Sequence, residues 1–215
     1  MFAEERKRLV ANLVKAGYVK SPEVKAAMEH IPRHQFLPRD MWGFAHSDTP
    51  LNIGEGQTIS APHMVGMMLE LLELEPGHNV LEVGGGSGYH ASLIAHIVGR
   101  EGHVYSVEII ESLAKQAEKN IRNVGMQEVV TTIIGDGSKG LKRFAPFDRI
   151  TAACSAPSIP VPLVEQLKDP GIMVIPVGAS YFQELILIVK LNGRIIKSQK
   201  GGVAFVPMKG LHGVD

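Results

Sequence analysis

The chain has 215 residues, 45% hydrophobic and 20% charged, which suits one domain with a sizeable core. Its 22 Lys and Arg balance 22 Asp and Glu, so no broad positive field is available to hold nucleic acid. One cysteine, Cys154, excludes an internal disulfide, and no apolar run reaches the length of a membrane span; a cytoplasmic setting without a membrane partner is expected.

Residues 3–16 carry Leu9 and Leu13 on one helical face, with Val10 and Val14 beside them, and predict a first helix. Residues 22–30 predict a second, capped by Ser21 and with Pro22 in its first turn. Residues 32–60 read as loop-rich. A third helix is expected to begin at Ser60 as its cap, with Met64, Met68 and Leu71 sharing a face. Pro76-Gly77 then closes an N-terminal helical and loop extension, residues 1–74.

From residue 75 the pattern alternates. Strands are predicted at 79–83, 103–107, 129–134, 147–154 and 172–177, and helices at 89–98, 110–124 and 162–167. Further strands near 185–191 and 195–198, and an apolar stretch at 203–206, complete the chain. Such alternation implies a Rossmann-like α/β core, 75–215, with a mostly parallel sheet and helices on both faces. The extension is expected to join it in one structural unit.

A ligand of such a sheet lies beyond the carboxyl ends of its strands. The first strand ends in Glu82-Val83-Gly84-Gly85-Gly86-Ser87-Gly88. A dinucleotide fingerprint would need its third glycine where Tyr89 stands, and no Gly-Lys-Ser/Thr of a phosphate loop is present. Glycines at alternate positions after an acidic residue fit S-adenosylmethionine. A tight turn without a ligand would also use glycine, but four within five residues is a costly way to make one turn. Glu108, at the tip of the second strand, is placed to accept from two ribose hydroxyls. Asp136, between Gly135 and Gly137, could accept from an adenine amine, or simply make a turn.

The other candidates carry less. His30 and His34 have the spacing of a zinc pair, but Pro32 lies between them and no third ligand is apparent, so no metal is expected. Cys154 reads as a buried thiol before it reads as a nucleophile. Met64, Met67 and Met68 read as core.

Gly56-Gln57-Thr58-Ile59-Ser60-Ala61-Pro62-His63-Met64-Val65 resembles the signature of protein-L-isoaspartate O-methyltransferases. Leu81-Glu82-Val83-Gly84, Gly86-Ser87-Gly88-Tyr89, Gly135-Asp136-Gly137, Ala145-Pro146-Phe147-Asp148, Ile175-Pro176-Val177-Gly178 and Phe205-Val206-Pro207 agree with that family, in its order. The resemblance implies a seven-stranded methyltransferase sheet. It implies methyl transfer from S-adenosyl-L-methionine to the free α-carboxylate of L-isoaspartyl residues in damaged proteins and peptides, leaving S-adenosyl-L-homocysteine. The ester then closes to a succinimide that partly reopens to aspartate. By position, Ser60 would be the active-site serine. Thr58, Ile59, His63, Glu82, Gly84, Gly86, Ser87, Gly88, Glu108, Ile109, Asp136 and Gly137 would bind the cofactor, and Phe205, Val206 and Pro207 the substrate. Gly85 departs from the pattern, standing where the family commonly carries Thr or Ser. The alternatives are an S-adenosylmethionine enzyme acting on another small molecule or RNA, and a non-catalytic module that binds damaged protein. A monomer is expected.

Overall fold

Helix α1 (Phe2–Lys15) buries Val10 and Leu13. Helix α2 (Pro22–His30) has the predicted bounds, and the Ser21 hydroxyl accepts the Val24 N–H at 3.3 Å. The computed structural model describes residues 2–179 and 182–214. Within the stretch read as loop it contains a hairpin, β1 (Leu51–Gly54) and β2 (Gln57–Ile59), turning at Glu55-Gly56 with both residues at positive φ. Strands of four and three residues are too short for alternation to register in the sequence.

Helix α3 (Pro62–Leu72) starts later than expected. Its cap residue is Ala61, which offers no side-chain bond, so Ser60 lies outside the helix. The cap comes from elsewhere in the chain: Asp48 Oδ1 accepts the His63 N–H at 2.8 Å. At the other end, the Arg149 guanidinium donates to the carbonyls of Leu72 (2.5 Å) and Glu73 (2.9 Å). A negative group at the N-terminus and a positive one at the C-terminus both suit the helix dipole.

The main sheet has the order β5 (Val130–Ile134), β4 (His103–Glu108), β3 (Asn79–Val83), β6 (Phe147–Ala152), β7 (Leu167–Ala179), β8 (Phe182–Leu191), β9 (Arg194–Val203). The first five strands pair in parallel and the last two extend the sheet antiparallel. Helices α4 (Tyr89–Val98), α5 (Glu111–Asn123) and α6 (Val161–Gln166) make the crossovers. Alternate residues of β3 feed two cores: Val80 joins Val104 and the residues of α1, α2, α4 and α5, while Leu81 joins Phe147, Ile150 and Leu163 of α6. The first core runs from Val10 to Val130, so the N-terminal elements and the sheet share one apolar interior.

The C-terminal strands differ from the sequence expectation. Leu167, expected in a helix, opens β7, and the strand expected near 195–198 lies within the longer β9, which ends at Val203, where the apolar stretch of 203–206 begins. Strand β9 is an edge strand, almost wholly exposed on both faces. With no buried face it has no reason to alternate, which hid its length.

Candidate active site

Beyond the tips of β3, β4 and β6 lies a cleft of about 860 Å³, including its open mouth. Of the residues expected at a cofactor, Thr58, Ile59, Glu82, Gly84, Gly86, Ser87, Glu108, Ile109 and Gly137 line it; so do Ser60, Val206 and Pro207. Its floor is the loop between β3 and α4. Gly84 turns at φ 81°, where a Cβ would stand 3.1 Å from Cys154 Sγ. The Gly84 and Gly85 N–H groups both donate to the Val107 carbonyl, which ties the loop to β4.

Two carboxylates sit in the cleft wall. Glu108 is 6% exposed; its Oε2 accepts the Gly86 N–H at 2.8 Å and its Oε1 the Ile110 N–H at 2.9 Å. A carboxylate has about four acceptor positions, so each oxygen keeps a lone pair after these bonds. Two acceptors fixed side by side fit the vicinal hydroxyls of a ribose. Glu82 is wholly buried in the same wall.

A second, more open groove adjoins the cleft. It is lined by Pro50, Ala61, His63, Met64, Phe182, Gln183 and Phe205, and it shares Thr58, Ser60, Ala153 and Val206 with the cleft. Ser60 therefore stands at the junction of two spaces. Its backbone is held from beneath: the buried Arg33 guanidinium donates to the carbonyls of Ser60 (3.2 Å), Thr49 (3.0 Å) and Ala45 (2.6 Å). Burial lowers the Arg33 pKa, with Tyr89 and Asp48 opposing the shift. The groove's far wall is built by Gln183, which accepts the Phe205 N–H at 2.7 Å and donates to its carbonyl at 3.0 Å.

Four expected site residues are not among those that line the cleft. His63 faces the groove, with Nδ1 2.9 Å from Asp48 Oδ1. The α3 N-terminus is not an open cradle for a carboxylate, because Pro62 has no N–H and Asp48 already takes that of His63. Asp48→Ala should therefore lower stability by about 0.5–2 kcal/mol, the worth of a cap; an unchanged melting temperature would leave Asp48 with no capping role. Phe205 belongs to the groove alone. Gly88 caps α4 at φ 84°, and a Cβ there would stand 3.0 Å from Ile121, so its glycine serves helix packing.

Asp136 does not line the cleft. Its Oδ1 accepts from Ser138 N–H (3.0 Å) and Oγ (2.6 Å), and its Oδ2 from the Leu211 N–H (3.0 Å), fastening the C-terminal segment that carries Lys209 to the cleft wall. Burial works to raise the Asp136 pKa, but the donors of Leu211, Ser138 and Lys139 outweigh it and hold the carboxyl below its ordinary 3.8. A depressed folded pKa gives stability that is present above the unfolded pKa and lost as pH falls through the folded one. The Leu211 amide proton should thus titrate, by NMR, with a midpoint below 3.8; a higher midpoint would break this link.

The sequence reading also missed lining residues, among them Gln57, Tyr89, His90, Met208 and Lys209. His90 had a local signal, as an imidazole in the first turn of a mostly apolar helix. Cys154 lines the cleft, but burial first, then Glu108 and Glu82, push its pKa far up, so it is a neutral thiol rather than a nucleophile. His30 and His34 part company: His30 stacks on His96 at 4.7 Å and His34 on Phe2 at 4.4 Å.

Comparison with known proteins shows the family and the fold. The family model of protein-L-isoaspartate(D-aspartate) O-methyltransferase matches residues 4–213. The protein-L-isoaspartate O-methyltransferase of Methanothermobacter thermautotrophicus is 50% identical over 212 residues, covering 98% of this chain and 97% of its own. That of Methanosarcina mazei is 52% identical over 209 residues, with 97% and 84% covered. A solved structure from Plasmodium falciparum, described as a protein-L-isoaspartate O-methyltransferase in complex with S-adenosyl-L-homocysteine, superposes with a TM-score of 0.86 at 29% identity, covering 95% of this chain and 98% of that one. The fold and the full-length match lead to one conclusion: this chain belongs to the protein-L-isoaspartate O-methyltransferase family.

Proposed function

We propose that the cleft holds S-adenosylmethionine and that the adjoining groove presents to it, at Ser60, the free α-carboxylate of an L-isoaspartyl residue. The observation that carries this reading is the shared wall: Thr58, Ser60, Ala153 and Val206 line both spaces, so a cofactor in one can meet a peptide in the other. When bound, S-adenosylmethionine supplies a methyl group on a cationic sulfonium. Glu108 would hold the ribose, Glu82 would offer an anionic acceptor to the cofactor's ammonium, and the glycine loop would let both approach the backbone.

An α-carboxyl has an unperturbed pKa of about 3.3–3.7, so the acceptor is already ionised near neutrality and needs no base. Water opposes the transfer by solvating the two opposite charges. The chain's part is alignment and exclusion of water. Ser60 Oγ would donate to one carboxylate oxygen and leave the other directed at the methyl. The groove beside Phe205-Val206-Pro207 would carry the peptide. The ester product closes to a succinimide as a backbone amide nitrogen displaces methanol, and water partly reopens the ring to aspartate. The proposed partners are isoaspartyl-containing proteins and peptides, met in the cytoplasm by a monomer; no helix among the described residues is long and apolar enough to cross a membrane.

Labelled S-adenosylmethionine with paired peptides differing only in Asp or isoAsp tests the reading. Label on the isoAsp peptide alone is expected; equal label on both, label on RNA, or binding without transfer would overturn it. The rate at saturating cofactor should also show no acidic limb at about pH 6–7, where an essential histidine base would titrate. A limb there that vanished in His63→Gln would overturn the base-free mechanism.

A further inference from the structure

Glu82, wholly buried at the tip of β3, is held through both of its oxygens. His90 Nδ1 lies 3.1 Å from Oε1, and Ser106 Oγ donates to Oε2 at 2.5 Å. Ser106 is itself fully buried and pairs directly with Glu82 in the parallel register of β3 and β4. Its hydroxyl occupies the space beside Gly85. A Cβ built at Gly85 would overlap Ser106 Oγ and would lie 3.6 Å from Glu82 Oε2. The neighbours Gly84, Gly86 and Gly88 all have positive φ, but Gly85 does not. The backbone therefore does not demand glycine at 85; the Ser106 hydroxyl does.

We propose that Ser106 is a positioning residue of the cofactor site, delivering from the sheet the hydroxyl that fixes Glu82, and that Gly85 is glycine to admit it. This rests on the reading of Glu82 as a cofactor contact. A buried carboxylate needs donors, and one held at both oxygens keeps its remaining lone pairs in a fixed direction. A serine at 85 would reach the same Glu82 oxygen from the loop side. Positions 85 and 106 are thus two routes by which one hydroxyl can fill one hole, and only one can be used at a time.

The test is a rescue. Affinity for S-adenosylhomocysteine is measured by calorimetry, with melting temperature alongside, for Ser106→Ala alone, with Gly85→Ala, and with Gly85→Ser. Ser106→Ala should bind about tenfold more weakly, the worth of one hydrogen bond to a charged group; Gly85→Ala should leave it so, and Gly85→Ser should restore affinity to within about threefold of the parent. The alanine double variant fills the space without a hydroxyl, so it separates packing from positioning. If the serine double variant binds no tighter than the alanine one, whether both are weak or neither folds, the proposal is overturned. Glu82→Gln separates the two layers: parent-like binding by Glu82→Gln would overturn the cofactor reading and the proposal with it. Weak binding by Glu82→Gln beside parent-like binding by Ser106→Ala would overturn the positioning role alone.

Discussion

Replacing Glu108 by alanine is expected to weaken S-adenosylmethionine binding about a hundredfold or more. Two hydrogen bonds from ribose hydroxyls to a carboxylate are worth about 1.5–3 kcal/mol each, and every 1.4 kcal/mol is tenfold. The loss has a second source in the protein. The Gly86 and Ile110 N–H groups donate to Glu108 and would lose their acceptor, so the floor of the cleft would loosen as well. Glu108→Gln keeps one acceptor oxygen and should fall between parent and alanine. Calorimetric titration of all three reads the effect directly; equal affinities would remove Glu108 from the cofactor site.

The second large effect is expected at Ser60. Ala61 occupies the cap position of α3, and Arg33 grips the Ser60 carbonyl rather than its side chain, so Ser60→Gly should fold with little loss of stability. Its single-turnover methyl transfer should nevertheless fall by about tenfold or more, because an oriented donor to a charged acceptor is gone. Ser60→Asp puts a negative charge beside the incoming carboxylate. Like charges about 4 Å apart at an effective dielectric of about 20 repel by about 4 kcal/mol, so transfer should drop about a thousandfold. Parent-like transfer by a well-folded Ser60→Gly would reduce Ser60 to a lining residue.

Features whose cause is local were legible in the sequence. Ser21 and Pro22 gave the start of α2 because a cap and its helix are neighbours. The glycine loop and Glu108 were legible because strand tips follow from strand patterns, and those patterns were strong in β3 and β4. What escaped depends on distant partners. Asp48 caps a helix 15 residues away, and the bond from Leu211 to Asp136 crosses 75 positions, so neither of these links has a neighbouring sign in the sequence. Ser60 looked like a cap because serine before a helix is a good one; one residue of extended chain at Ala61 was enough to move it out. Ser106 looked like any small residue in a strand, and its bond to Glu82 crosses 24 positions.

Arg33 has a thermal consequence. Arg33 is 1% exposed, and its two terminal nitrogens donate to the carbonyls of Ala45, Thr49 and Ser60, while its Nε has no hydrogen-bond partner among the described residues. Removing a charge from water carries a penalty that shrinks on heating, because the hydration of ions becomes less favourable as temperature rises. Apolar burial gains no comparable advantage per unit area. The net worth of the Arg33 knot should thus grow with temperature, holding the strand before Ser60 most firmly in the conditions where the rest of the fold is nearest to melting.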